Sequence, residues 1–271
     1  MGKFSGVLLA SDYDDTLFSS KRTVSAENKT AIEYFMANGG YFSVATGRAH
    51  KTFTPQISEQ EIPFNAPCVL SNGAGVYDYA QDKWLHLTTL PDRAVSDLRQ
   101  LLDHMPALGI ETYHEDEIYV CNPNDMTRHH MKRVGAQFIE GELERLPRPW
   151  IKAIIEAHSQ DLIEAQRYLL THFGDFFEII FSNHHLLEIT AKGCHKGGMV
   201  RWIANYLGIA PGDVYCVGDN ENDLSMLQVS AIPMAPANCA EVVKLSGARL
   251  VADCDHHTVA DIVRILDEIY S

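Results

Sequence analysis

Short continuous apolar runs alternate along the chain with stretches whose apolar positions recur at helical spacing. Val7-Leu8-Leu9-Ala10 is unbroken rather than alternating, the pattern of a strand covered on both faces of a parallel sheet. Ser25 then caps a helix in which Ala31, Ile32, Phe35 and Met36 share a face, and Gly39-Gly40 ends it. Residues 41–45 form a second buried strand closing at Thr46-Gly47-Arg48. Another helix follows, and a third strand over 67–70 ends at Ser71-Asn72-Gly73. This alternation predicts an α/β fold built on a parallel sheet. A hairpin over 76–87 turns at Gln81-Asp82.

The character changes near Pro91. Strands are expected at 110–113, 118–121, 150–157, 176–181 and 186–190. The main helices fall at 93–104 and 160–173, with a short helical piece after Asn124. Strand-rich runs with two main helices suggest a small α+β domain with its helices on one sheet face. The parallel pattern then returns. Helices are expected at 195–207, 221–227, 239–245 and 258–270, and strands at 214–217, 231–234 and 250–251. The organisation is core, insert, core: residues 1–88 and 188–271 form the core, and 89–187 the insert.

Composition narrows the function classes. A chain of 271 residues, 46% hydrophobic, buries real cores. Its formal net charge of -14 disfavours a sequence-blind nucleic-acid binder, which needs a basic face, but not an anionic substrate held by a metal and a few placed cations. The six cysteines form no CxxC pair and read as reduced cytosolic thiols, Cys68 and Cys216 packing in apolar runs. No signal peptide or bilayer-length apolar run is evident, so a soluble cytoplasmic protein without membrane partners is expected.

The chemistry concentrates at strand ends, where open α/β sheets bind ligands. Asp12-Tyr13-Asp14-Asp15-Thr16 follows the first strand. In an extended segment Asp12 and Asp14 point the same way. One can be a Mg2+ ligand and nucleophile, the other a proton donor to a leaving oxygen and then a base for water. Thr46 and Gly47 offer a hydroxyl and free amides to phosphate oxygens. Gly218-Asp219-Asn220-Glu221-Asn222-Asp223 ends another core strand, with Asp219 where a second metal ligand is needed and Asp223 one helical turn later. Lys196, at a helix start, could neutralise a transferring phosphoryl group. Singly, these residues read equally well as an acidic turn, a helix cap, a dipole partner and a surface charge. Four polar clusters at four element boundaries make a joint accident unattractive. Adjacent histidines at 184–185 and 256–257 lack zinc spacing, and the oxygen-rich set favours Mg2+. His184 and His185 sit in an expected turn of the insert, either solvated or facing substrate.

The segments DYDDT, the strand ending in Thr46, Lys196 and GDNEND resemble the four motifs of the haloacid dehalogenase (HAD) superfamily. Thr46-Gly47-Arg48, Ser71-Asn72-Gly73-Ala74 and Met234-Ala235-Pro236-Ala237-Asn238 resemble its Cof-type branch. The resemblance spans essentially the whole chain and is loosest in the insert. It implies a Rossmann-like core with an α/β cap between the second and third motifs, governing substrate specificity, and a Mg2+-dependent phosphatase working through an aspartyl-phosphate. Asp12 would be nucleophile and metal ligand, and Asp14 the acid/base that also ligates through its carbonyl. Thr46, Gly47 and Lys196 would bind phosphate. Asp219 would be the second carboxylate ligand, with Asp223 ligating or supporting through water. Thr16, Arg48, Asn72 and Asn222 would support the site or lie near substrate. Small phosphate monoesters are the implied substrates, sugar phosphates first, then phosphorylated cofactors. A phosphotransferase or mutase using the same intermediate, or a non-catalytic sensor of phosphorylated metabolites, are the alternatives. Asp15 (where glycine is frequent), His195 and Pro236 depart from the family pattern.

Overall fold

The computed structural model of the protein describes residues 2–271. Two compact units divide the chain. One extends to Gly47 and takes in Pro55–His86 and His195–Ser271; the other comprises Arg48–Thr54 and Leu87–Cys194.

The first unit opens with β1 (Leu8–Ser11), α1 (Ala26–Ala37) and β2 (Tyr41–Val44). Next come α2 (His50–Gln60), whose first five residues group with the second unit, then β3 (Cys68–Leu70), β4 (Gly75–Asp78) and β5 (Lys83–Leu87). Ser25 caps α1 as its sequence suggests, its side chain accepting the Asn28 amide. In the second unit follow α3 (Ala94–His104), β6 (Gly109–His114), β7 (Glu117–Cys121), α4 (Asp125–Val134), β8 (Ile139–Glu140), β9 (Ala153–Glu156), α5 (Ser159–Phe173), β10 (Phe177–Asn183) and β11 (Leu186–Ala191). The first unit resumes with α6 (Lys196–Leu207), β12 (Val214–Val217), α7 (Leu224–Leu227), β13 (Pro233–Pro236), α8 (Glu241–Leu245), β14 (Arg249–Val251) and α9 (Thr258–Ile269).

The core sheet is parallel, in the order β14-β13-β12-β1-β2. Leu8, Leu9 and Ala10 are fully buried, as a continuous apolar run in a doubly covered sheet demands. Each buried leucine contributes about 1.5–3 kcal/mol. Register matters more for function. Ser11 pairs with both Val44 and Val217, so β1, β2 and β12 end level. The polar segments that follow, at 12–16, 46–48 and 218–223, therefore emerge at one rim of the sheet.

Strand β3 departs from the expected parallel sheet. It meets the β2 end through a single bridge, Ala45 to Val69, and otherwise pairs antiparallel with β4 in a separate sheet ordered β3-β4-β5. A three-residue apolar run says it is buried but not which neighbour it takes.

The second unit is a six-stranded sheet, β10-β11-β9-β6-β7-β8. Ile110, Ile155, Leu187 and Ile189 make a core with Leu98 and Leu101 of α3 and Leu162, Ala165 and Leu169 of α5. Helix α4 lies against the opposite face, where Glu111 and Glu156 alternate with those isoleucines, so the helices do not share one face. Residues 188–194, which the sequence pattern groups with the core, belong here: β11 is bonded between β9 and β10, and the chain re-enters the first unit at His195.

Candidate active site

The centre of the rim is a buried ammonium. Lys196, the first residue of α6, is fully buried, and its Nζ donates to Oδ1 of Asp12 and to Oδ1 of Asp223, each at 2.6 Å. Burial alone would lower the lysine pKa. The charges of Asp12 and Asp223 outweigh it and hold the group above its ordinary range, which favours the charged ammonium. His195 is the N-cap of α6, its Nδ1 accepting the Gly198 amide at 3.0 Å. This is a structural task for the residue that departs from the family pattern. The chain of Ser71–Gly73 packs against it: a Cβ on Gly73 would lie 2.4 Å from the His195 carbonyl carbon, and φ there is +99°.

Asp12 follows β1 directly, its amide bonded to Val217 O at 2.9 Å. Burial pushes its carboxyl up to about 7. The charges of Asp223 and Asp14 add to this and Lys196 opposes it. Asp14 is half-buried and lies close enough for its charge to act on Asp12. The segment is not extended. Phe18 N returns to Tyr13 O at 2.7 Å, closing a loop in which Asp15 has φ +59°. That left-handed conformation favours glycine and is tolerated by aspartate. Asp15 is exposed, and its carbonyl accepts Asn238 Nδ2 at 2.9 Å, so its place here is conformational.

The loop after β12 is organised by Asp223. Its Oδ2 accepts the amides of Asp219 and Asn220 at 2.9 and 3.0 Å while Oδ1 holds Lys196. Gly218 permits this. A Cβ there would stand 2.3 Å from the Asp223 carboxyl carbon. Asp219 receives the Thr16 hydroxyl at 3.2 Å. Burial, then the charges of Asp12 and Asp223, push its carboxyl well above the usual range. Oxygens of Asp12, Asp219 and Asp223 all lie within 4.8 Å of one another. Three carboxylates facing one ammonium leave negative charge uncompensated, and an all-oxygen donor set suits a hard divalent cation. The cluster can hold one, and a cation there would reverse the upward shifts.

Thr46 is buried after β2, its amide bonded to Val69 O and its carbonyl accepting the Asn72 amide at 3.1 Å. Ser71 and Asn72 both adopt left-handed φ, +50° and +53°. Asn72 Oδ1 accepts Asn222 Nδ2 at 2.9 Å, while its own Nδ2 and the Ser71 hydroxyl are buried without partners. Of the residues singled out in the sequence, Asp12, Lys196, Asp223, Asp219 and Thr16 form one bonded set and Thr46, Asn72 and Asn222 another, the two meeting at the adjacent residues Asn222 and Asp223. Gly47 follows Thr46 in the first unit. Arg48 falls in the second, where Nη1 donates to Thr52 O at 3.4 Å. The left-handed backbone of Ser71, part of the turn that ends β3, was not foreseen: nothing in a serine at a strand end signals it. His184 and His185 are exposed in the β10–β11 turn.

A parallel α/β sheet with acidic loops and a buried lysine at its carboxyl rim defines the class. The particular family follows from comparison with known proteins. Residues 9–263 match the haloacid dehalogenase-like hydrolases, and the chain belongs to that family, in its Cof-type branch. A relative from Bacillus subtilis, the 5-amino-6-(5-phospho-D-ribitylamino)uracil phosphatase YitU, is 25% identical over 272 residues, covering 97% of each chain. A haloacid dehalogenase-like hydrolase from Bacteroides thetaiotaomicron superposes with a TM-score of 0.83 at 22% identity, over 96% of this chain and 99% of that one. A HAD subclass IIB sugar phosphatase superposes at 0.82 with 21% identity, over 97% and 98%. All six cysteines are unbonded and buried, and no helix among the described residues is long and apolar enough to cross a membrane.

Proposed function

We propose that the protein is a Mg2+-dependent phosphatase that hydrolyses small phosphate monoesters through an aspartyl-phosphate on Asp12. The observation that carries this reading is Lys196 held between Asp12 and Asp223 at the level where β1 and β12 end, with Asp219 alongside.

An Asp12 carboxylate oxygen attacks phosphorus in line, forming the acyl-phosphate bond as the ester P–O bond breaks. Asp14 protonates the departing oxygen, then takes a proton from the water that attacks the acyl phosphate, and Asp12 is regenerated. Lys196 neutralises the phosphoryl oxygens, and Thr46, the Gly47 amide and the unpartnered Asn72 Nδ2 are donors for them. Mg2+, bound by Asp12, the Asp14 carbonyl and Asp219, would supply the further positive charge that lets a dianion approach these carboxylates. Asp223 spends both oxygens on Lys196 and the loop amides, so it acts as a positioning residue.

The second unit is the substrate-selecting cap in this reading. Sugar phosphates are the leading substrates. The B. subtilis relative is named for a phosphorylated ribityl compound, which puts that compound in the first panel. The test is phosphate release from sugar phosphates, the ribitylaminouracil phosphate, pyridoxal phosphate and flavin mononucleotide, with and without Mg2+, beside Asp12→Asn. Mg2+-dependent release lost in the variant supports the assignment. Turnover persisting in a contaminant-free Asp12→Asn preparation sinks it, and transfer to a sugar acceptor without phosphate release identifies a phosphotransferase.

A further inference from the structure

The second unit contains a buried polar cluster that the proposed chemistry does not use. Glu111 on β6, Glu156 on β9 and His130 on α4 converge from three elements. His130 Nδ1 lies 3.1 Å from Oε2 of Glu111 and 3.0 Å from Oε1 of Glu156. Both glutamates are fully buried. One nitrogen cannot give a well-directed proton to two carboxylates at once, and one imidazolium cannot balance two carboxylates. Oε2 of Glu156 is buried without a hydrogen-bond partner. The nearby Thr127 hydroxyl acts on that carboxyl but donates to Asn124 Oδ1 at 3.4 Å. A carboxylate oxygen left without a partner between two fully buried glutamates and a largely buried imidazole is accounted for by a bound cation.

We infer that Glu111, His130 and Glu156 form a binding site for a first-row divalent transition-metal cation of the zinc class, separate from the carboxylate centre of the first unit. One ligand atom from each residue falls within 4.8 Å of the others. Bonds of about 2.0–2.1 Å in tetrahedral array place ligand atoms about 3.3 Å apart, so the two observed separations need only a few tenths of an ångström of adjustment. Two carboxylates and a neutral imidazole make a charge-matched site for a dication, and the imidazole selects zinc-like ions over Mg2+. The outer contacts are those of a ligand set. The Tyr113 hydroxyl bonds Oε1 of Glu111, and the Lys152 ammonium sits over the Tyr113 ring at 4.7 Å. Asn124, which caps α4, donates to the Glu156 carbonyl at 2.8 Å, so helix and strand are already aligned. The ion would pin α4 to the sheet face opposite the α3–α5 core.

Chelator-treated full-length protein titrated with Co2+ in excess Mg2+ tests this. Expected is one Co2+ per chain with the intense visible absorption of a four-coordinate nitrogen-containing site, and a raised Tm. His130→Ala and Glu156→Gln should lose the band. Tyr113→Phe, which leaves all three ligands, should weaken binding about 10–100-fold. If the buried variants do not fold, Asp219→Asn, altered only in the first unit, decides: it must keep the band. Absence of the band in the folded wild type, its survival in folded His130→Ala, or its loss in Asp219→Asn overturns the assignment and leaves a metal-free ion triad.

Discussion

Asp223 grips Lys196 with one carboxylate oxygen and the amides of its own loop with the other, so the cation and the β12 loop are set by a single side chain. Replacing Lys196 by methionine leaves Asp12 and Asp223 facing each other in a buried site. Removing one partner of such a pair costs about 3–5 kcal/mol, and under the proposed mechanism loss of the Lys196 donor costs about 10²–10³-fold in kcat. Urea unfolding and steady-state kinetics on Lys196→Met measure both. A variant within 1 kcal/mol of wild type, an estimate well below that range, would contradict the geometry.

Gly218→Ala should damage activity without unfolding the protein. The added methyl collides with the Asp223 carboxyl, which must swing away from Lys196 or from the loop amides. A drop in kcat with near-native circular dichroism is expected. Unchanged kcat would show that the Asp223 position is not critical.

Asn72→Gly and Asn72→Ala separate strain from bonding. Both lose the bond to Asn222, but only alanine keeps the cost of left-handed φ, about 1–2 kcal/mol. Alanine should therefore be the less stable by about that amount in thermal or urea unfolding. Both should lose activity if Nδ2 meets substrate.

Native thiols should resist reagents. Burial raises Cys68 to about 12 and Cys216 further, outweighing the Val44 backbone and Ser230 side-chain bonds respectively. At pH 8 a chromogenic disulfide should react slowly with folded protein and rapidly with all six cysteines in denaturant. Because these thiols stay protonated when folded but ionise near the ordinary value when unfolded, their contribution to stability is intact below about pH 8.5 and falls as pH rises toward 12.

Much of the core was legible because its strands are fully covered: runs such as 8–10 and 214–217 carry no polar interruption, and the polar residues after them mark the rim. The spacing of Asp12 and Asp14 put two carboxylates at the end of β1 but gave no sign of the turn between them, since a positive φ at Asp15 leaves no apolar signature. The partner of β3 was hidden because three apolar residues specify burial and not pairing. Glu111, His130 and Glu156 escaped notice because they are brought together by strand alternation and one helix face across 45 residues of chain, a distance over which no motif spacing exists.

The core strand order has a consequence for biosynthesis. Leu8 pairs with Val214, roughly two hundred residues downstream. At about 5–20 residues per second, one edge of β1 waits about 10–40 s on the ribosome for its neighbour. The strands of the second unit's sheet all lie between residues 109 and 191 and meet no such delay. Proteolysis of arrested nascent chains should show residues 87–194 protected before the amino-terminal strands. Asp12 is thus among the first residues made, and the sheet rim around it among the last places to take shape.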